Sequence, residues 1–184
     1  MMGAMWYALL ILLVGLERVA ELVVAERNRR WSNARGGVET GRGHYPLIVA
    51  LHTGLLFGAL AEVYLLDRPF YAWLGLPMLV LALGAQCLRW WCIRTLGPQW
   101  NTRVIVVPGL PRIDAGPYRW LRHPNYVAVI VEGAALPLVH TAWITAAAFT
   151  TLNTPLLWQR VRVEDRALAA LQPAGDAPTG GRPA

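Results

Sequence analysis

Residues 116–133 read Gly-Pro-Tyr-Arg-Trp-Leu-Arg-His-Pro-Asn-Tyr and then Val-Ala-Val-Ile-Val-Glu-Gly. The first eleven of these hold two Arg, one His, two Tyr and two Pro, and the run that follows is apolar almost at once. A proline-fixed polar segment that feeds straight into a hydrophobic helix is costly to place at a membrane surface. Ionisable groups at that depth mark a functional site by default. The rest of the chain reads as the frame that holds this segment at the water–lipid boundary.

Composition points the same way. The chain has 184 residues, 55% hydrophobic and only 15% charged, where a soluble domain carries about 25% charged residues. Its length suits one domain. Its apolar runs predict an all-α integral membrane protein with about five transmembrane helices, near residues 5–25, 45–66, 70–88, 126–140 and 142–160. The first run has no basic residue before it and no small-residue cleavage pattern, so it reads as an uncleaved span rather than a signal peptide. The last apolar region, Tyr126 to Trp158, is too long for one straight helix in a hydrocarbon core of roughly 30 Å. Pro137, His140 and Thr141 in its middle predict a hairpin of two short helices. Residues 26–44 read as a flexible polar loop. Residues 96–125 carry Pro98, Pro108, Pro111 and Pro117, too closely spaced for long helices, and 103–107 reads as extended. A single domain thus covers 1–171, with a Pro- and Gly-rich, disordered tail over 172–184.

The charges test this layout. All 17 basic residues are Arg, which excludes lysine-nucleophile and Schiff-base chemistry. Loops on one side hold Arg27, Arg29, Arg30, Arg35 and Arg42, then Arg89 through Arg122, then the Arg residues of the tail; the other side has Arg68 alone. Arg-rich short loops stay in the cytoplasm, which predicts a multi-pass protein of the cell (inner) membrane, N-terminus outside and C-terminus cytoplasmic. Trp6, Trp73 and Trp143 fall at the outer boundary and Trp31, Trp90, Trp91 and Trp158 at the inner one, where indole rings prefer to sit. The net charge of +6 therefore reflects topology rather than a nucleic-acid partner. Cys87 and Cys92 share no helix face and have no His nearby, so they read as small apolar packers rather than a zinc site. A loop rich in Gly at 36–43 lacks the strand and the Lys-Ser/Thr of a phosphate loop.

Within this frame the segment 96–125 and the end of the last helix meet at the cytoplasmic surface. Asn153, Arg160, Glu164 and Leu168 fall on one helical stripe, so Arg160 and Glu164 project the same way, either as an i,i+4 ion pair or as a site. Glu17, Arg18 and Glu21 read as an ion cluster turned into the bundle. Glu132, six residues past Tyr126, reads either as the partner of a bundle Arg or as a substrate-side group such as a base. His44 and His52 read as hydrogen-bonding residues of the bundle.

Gly-Pro-Tyr, then Arg-His-Pro-Asn-Tyr, at 116–126, followed by Arg160, Glu164-Asp165 and Leu168, resembles the isoprenylcysteine carboxyl methyltransferase family. The resemblance covers about Leu96 to Leu168. It implies a membrane enzyme using S-adenosylmethionine, with cofactor contacts at Arg103, Leu110, Pro111, Arg112, Ile113, Tyr118, His123, Pro124, Asn125, Tyr126 and Glu164. It implies a catalytic, substrate-facing role for Arg160, and the stripe adds Asn153 on the acceptor side. The chain departs from the family pattern at Ala128, at Asp165 and over Leu110-Pro111-Arg112-Ile113. The implied partners are membrane lipids and a lipophilic acceptor entering from the bilayer. That acceptor would be an isoprenoid, or a polyketide of the alkylpyrone or alkylresorcinol type, methylated on a carboxylate or acidic hydroxyl. An always-charged Arg160 suits such an anion, and no metal is implied. His123 stands either at the cofactor or as a base. The related alternatives are a phospholipid N-methyltransferase, for which an anion-holding Arg is less useful, and an NADPH-dependent membrane reductase.

Overall fold

The computed structural model describes residues 2–171; the segment expected to be a disordered tail lies outside them. Five helices run in chain order: α1 (Met2–Asn33), α2 (Tyr45–Leu65), α3 (Ala72–Leu96), α4 (Pro124–Leu138) and α5 (Trp143–Leu171). Two three-residue strands, β1 (Val38–Thr40) and β2 (Val104–Val106), complete the described fold.

α1 outruns its apolar stretch by two turns. Glu26 pairs with Arg29 at 2.8 Å and Arg30 at 3.0 Å, the spacings that support an exposed helix end. The Asn28 amide donates to the carbonyls of Gly97 (3.1 Å) and Trp100 (2.8 Å), tying this extension to the segment after α3. The region expected to be a flexible loop is therefore largely ordered, because its first part is helix and its middle is β1. β1 pairs antiparallel with β2, Val38 opposite Val106 and Thr40 opposite Val104. The extended reading of 103–107 coincides with β2. Arg103 closes the ribbon by pairing with Glu39 at 2.8 Å, with its guanidinium 4.4 Å from the Tyr45 ring centre.

α2 and α3 are long and apolar enough to cross a membrane. Only 22% and 28% of their most apolar windows are buried, so most of that surface faces outward. α3 also continues past residue 88 through Arg89-Trp90-Trp91, and this places Arg89 inside the bundle, 4% exposed. Cys92 is buried as expected of a packer; Cys87 is not, and lies on the exposed side of the same helix.

The expected break in the last apolar region falls at residues 139–142, where Thr141 takes a positive φ of 56° and its hydroxyl donates to the Pro69 carbonyl at 2.6 Å. This α4–α5 turn shares one end of the bundle with the start of α1 and the α2–α3 turn. There the Tyr7 hydroxyl donates to Leu136 O (3.1 Å), the Tyr64 hydroxyl to Ala4 O (3.1 Å), and the Trp6 ring meets Phe70 edge-on. Tyr7, Ile11 and Val14 pack with Ala59, Val63, Leu136 and Val139 to form the apolar core beneath. The opposite end gathers β1, β2, the segment 97–123 and the last turns of α5.

Between the ends lies an ionic cluster. Glu132 on α4 accepts from Arg18 on α1 at 3.0 Å and from Arg89 on α3. Arg18 also pairs with Glu21 at 2.6 Å, and Glu17 is held by Gln86 and Trp90. So Glu17, Arg18 and Glu21 do turn into the bundle, and of the two readings of Glu132 its contacts match the pairing with bundle arginines. Two Arg and two Glu in mutual contact offset desolvation that none would survive alone.

Candidate functional site

The polar segment is positioned by what surrounds it. Pro117 seats a short helical turn at Gly116–Arg119, and Gly116 takes a positive φ of 53° against Thr95 and Trp91, where a Cβ would clash with the Thr95 side chain. Pro124 then opens α4 as its first residue, the position at which a missing N–H costs nothing.

α4 and α5 bring the two motif halves together around one hydroxyl. The buried Tyr126 hydroxyl donates to the Glu164 carboxylate and accepts from Arg160 Nε at 3.0 Å. Arg160 Nη2 donates to the Thr102 carbonyl at 2.6 Å. Arg160 is 8% exposed, and its Nη1 has no protein partner among the described residues. The direct Arg160–Glu164 pair that their spacing allows is not formed; Tyr126 stands between them. His123 stacks on the Tyr126 ring, centroids 5.3 Å apart and planes 22° apart. Its Nε2 lies 3.1 Å from Asp165 and its Nδ1 3.7 Å from Glu164.

These neighbours set the charge states. The Glu164 carboxylate, helped by Asp165 and opposed by partial burial, raises the His123 pKa above 6.5. Burial pushes Glu164 up, but the nearby His123 imidazole, the bond from Tyr126 and the Arg160 charge outweigh it and hold the carboxylate below its ordinary range. Burial also raises the Tyr118 phenol, which sits against the Cys92 thiol. The site thus presents an ionised Glu164, an imidazole inclined to keep its proton and a neutral Tyr118 phenol.

Two cavities open from this group. The first, about 980 Å³ including its open mouth, is lined by Arg103, Arg112, Ile113, Tyr118, His123, Asn125, Tyr126, Arg160 and Glu164. Three residues expected beside the cofactor are not on this wall. Leu110 and Pro111 do not line it, and Pro124 is fully buried at the start of α4. The second cavity, about 970 Å³, has a mainly apolar surface although many polar residues of α1, α2, α3, α4 and α5 border it, Asn153 among them. Glu132 lines neither. Trp100, Asn101, Asn125, Tyr126 and Arg160 belong to both, so the cavities meet there. Trp100 and Asn101 were not anticipated, although Gln99-Trp100-Asn101-Thr102, a polar cluster just past a helix end, was a signal that could have found them.

At this end of the bundle a cavity with nearly equal polar and apolar lining thus joins a second, mainly apolar one. Sequence comparison identifies the class: residues 78–170 match the isoprenylcysteine carboxyl methyltransferase (ICMT) family, and the chain belongs to it. It is thus a member of a family of membrane methyltransferases acting on lipophilic acceptors. Among individual proteins it is 39% identical over 164 residues to the uncharacterized protein YpbQ of Bacillus subtilis, covering 89% of this chain and 95% of that one. It is 24% identical over 159 residues to an uncharacterized protein of Haemophilus influenzae, covering 85% and 91% respectively. No solved structure matches.

Proposed function

We propose that this protein transfers a methyl group from S-adenosylmethionine to an oxygen of a lipophilic acceptor. The acceptor oxygen would be a carboxylate or acidic hydroxyl, on an isoprenoid or on a polyketide of the alkylpyrone or alkylresorcinol type. The observation that carries this reading is the meeting of a polar and an apolar cavity at Asn125, Tyr126 and Arg160.

The polar cavity suits the cofactor. Asn125 Oδ1, Asn101 Nδ2 and Trp100 Nε1 are buried with no partner among the described residues, and such atoms cost about 1–3 kcal/mol each unless a ligand or water meets them. Glu164, held ionised, would face the cofactor's positive charge. Tyr118, His123, Asn125 and Tyr126 would supply ring faces and hydrogen bonds, with Arg103, Arg112 and Ile113 closing the wall. Bound there, S-adenosylmethionine supplies an electrophilic methyl group for in-line displacement.

The chain's own part is orientation. Arg160 is held on two sides by Tyr126 and Thr102, which leaves Nη1 to fix an anionic oxygen at the junction. A fixed oxygen in line with the methyl carbon is the kind of arrangement from which much of an enzymatic rate arises. An acidic acceptor is already ionised, so no strong base is needed. His123, inclined to keep its proton, organises Glu164 instead. The apolar cavity admits the acceptor from the bilayer and excludes water. With the Arg-rich end in the cytoplasm, five helices crossing the cell membrane and the N-terminus outside, the soluble cofactor enters the polar cavity from inside the cell.

Calorimetry of the detergent-purified protein with S-adenosylmethionine tests the site. The wild-type protein binds, and Glu164→Gln binds at least about tenfold more weakly, the loss of one charge-assisted contact. No heat from folded wild-type protein would end this reading.

A further inference from the structure

The second cavity is not apolar throughout. From the junction it runs inward along Tyr45 and His52 on α2, along Arg160, Leu157 and Asn153 on α5, and past Val129 on α4. Arg160 and Asn153 are seven residues apart, as are Tyr45 and His52, a depth of about 10 Å along a helix. At that depth His52, Asn153 and the more exposed Thr53 line the cavity, and the first two are the less exposed side chains with hydrogen-bonding capacity to spare. Asn153 is only 5% exposed, and its amide has no partner among the described residues. His52 Nδ1 lies 2.8 Å from the Ile48 carbonyl. A carbonyl can only accept, so this bond fixes the proton on Nδ1 and leaves Nε2 as a free acceptor. Both residues line the same cavity, and Phe149 links their helices: the His52 ring meets Phe149 edge-on at 5.2 Å, and Phe149 lies one turn from Asn153 on α5.

The charges nearby are spoken for. Arg18, Glu21 and Arg89 also line this cavity, but Arg18 and Arg89 are matched by Glu21 and Glu132, with Glu17 beside them. No spare cation is left to hold an anion at this depth. A plain hydrocarbon tail would leave the Asn153 amide and His52 Nε2 dry and unpaired, which is unfavourable. A neutral hydroxyl satisfies both, donating to Nε2 and accepting from the amide.

Resting on the methyltransferase reading above, we propose that His52 and Asn153 form a specificity site for a second, neutral hydroxyl of the acceptor. That hydroxyl lies up to about 10 Å from the oxygen that takes the methyl group. The acceptor is then an amphiphile with two separated oxygen groups, not a single headgroup on an inert chain.

The test uses an alkylated naphthol and the same compound with a second hydroxyl on the far ring, their binding to detergent-purified protein followed by naphthol fluorescence without cofactor. The wild-type protein binds the diol at least about tenfold more tightly, the value of one buried hydrogen bond that the mono-ol leaves unmade. In Asn153→Leu and in His52→Phe the preference collapses, while affinity for the mono-ol holds, which also certifies folding. Equal affinities in the wild-type protein, no binding of either compound, or a preference that survives both substitutions would overturn the proposal. Calorimetry with S-adenosylmethionine on the same samples separates the two readings. Normal cofactor heat with no diol preference removes only the hydroxyl site, whereas absent heat removes the methyltransferase reading itself.

Discussion

If Tyr126 joins Arg160 to Glu164, its hydroxyl and the Arg160 guanidinium must act as one unit. Tyr126→Phe keeps the ring stacked on His123 and deletes only the hydroxyl; Arg160→Met keeps the aliphatic stem and deletes the fork. The hydroxyl sits 3.0 Å from Arg160 Nε, in a bond that is buried. Hydrogen bonds to charged groups contribute about 1.5–3 kcal/mol, so each single change should lower methyl transfer by roughly 10–100-fold. Once one partner is gone, the other has little of this bond left to lose. The double variant should therefore fall short of the product of the two effects by a coupling of about 1.5–3 kcal/mol. The assay is transfer of labelled methyl from S-adenosylmethionine into a lipid extract, with cofactor binding measured on each variant to separate binding from chemistry. Single effects that multiply to within about 0.5 kcal/mol would mean that the two side chains work independently, and the relay would be abandoned.

Three further outcomes follow from the geometry. Glu132→Leu leaves Arg18 and Arg89 to share Glu21 alone and should cost up to about 3–5 kcal/mol, read as a large fall in thermal unfolding temperature in micelles; an unchanged temperature would mean the cluster does not support the fold. Gly133→Ala drives a methyl into the Phe149 ring and should destabilise by about 1–3 kcal/mol, partly relieved by Phe149→Leu in the same chain. The raised pKa of His123 gives a pH signature: its stabilisation is complete below the ordinary 6.5 and is lost as pH rises through the raised folded-state value. His123→Gln should remove that alkaline decline from a series of unfolding temperatures; a decline of the same size in the variant would assign it elsewhere.

What the sequence made legible is what short-range physics encodes. Apolar runs marked the helices, and Pro137 with His140-Thr141 marked the break that appears at 139–142. The family motif marked Tyr118, His123, Asn125, Tyr126, Arg160 and Glu164, which the structure gathers around the first cavity. What stayed illegible depends on partners far along the chain. Val38–Thr40 carries no strand signal of its own and is ordered by Val104–Val106. The partners of Glu132, Arg18 and Arg89, lie on two other helices, and no spacing rule reaches across 114 and 43 residues. The reach of α1 to Asn33 likewise rests on Asn28 finding carbonyls at Gly97 and Trp100. Helical spacing put Arg160 and Glu164 on one face but could not show that Tyr126 would come between them.

The length of α4 bears on the lipid around it. Its 15 residues measure about 22 Å, against a hydrocarbon core of roughly 30 Å, while neighbouring α2 with 21 residues reaches about 31 Å. A bilayer spanned by both would not be equally thick on the two flanks. If α4 crosses the bilayer as proposed, the lipid that touches its exposed residues would thin there, at a modest cost per ångström of mismatch. Acyl chains would be shorter in such a dent, and lipid headgroups would come closer to the junction between the two cavities. The protein would then shape its own supply of acceptor, drawing an amphiphile's polar end to Arg160 by thinning the membrane rather than lifting the molecule out of it.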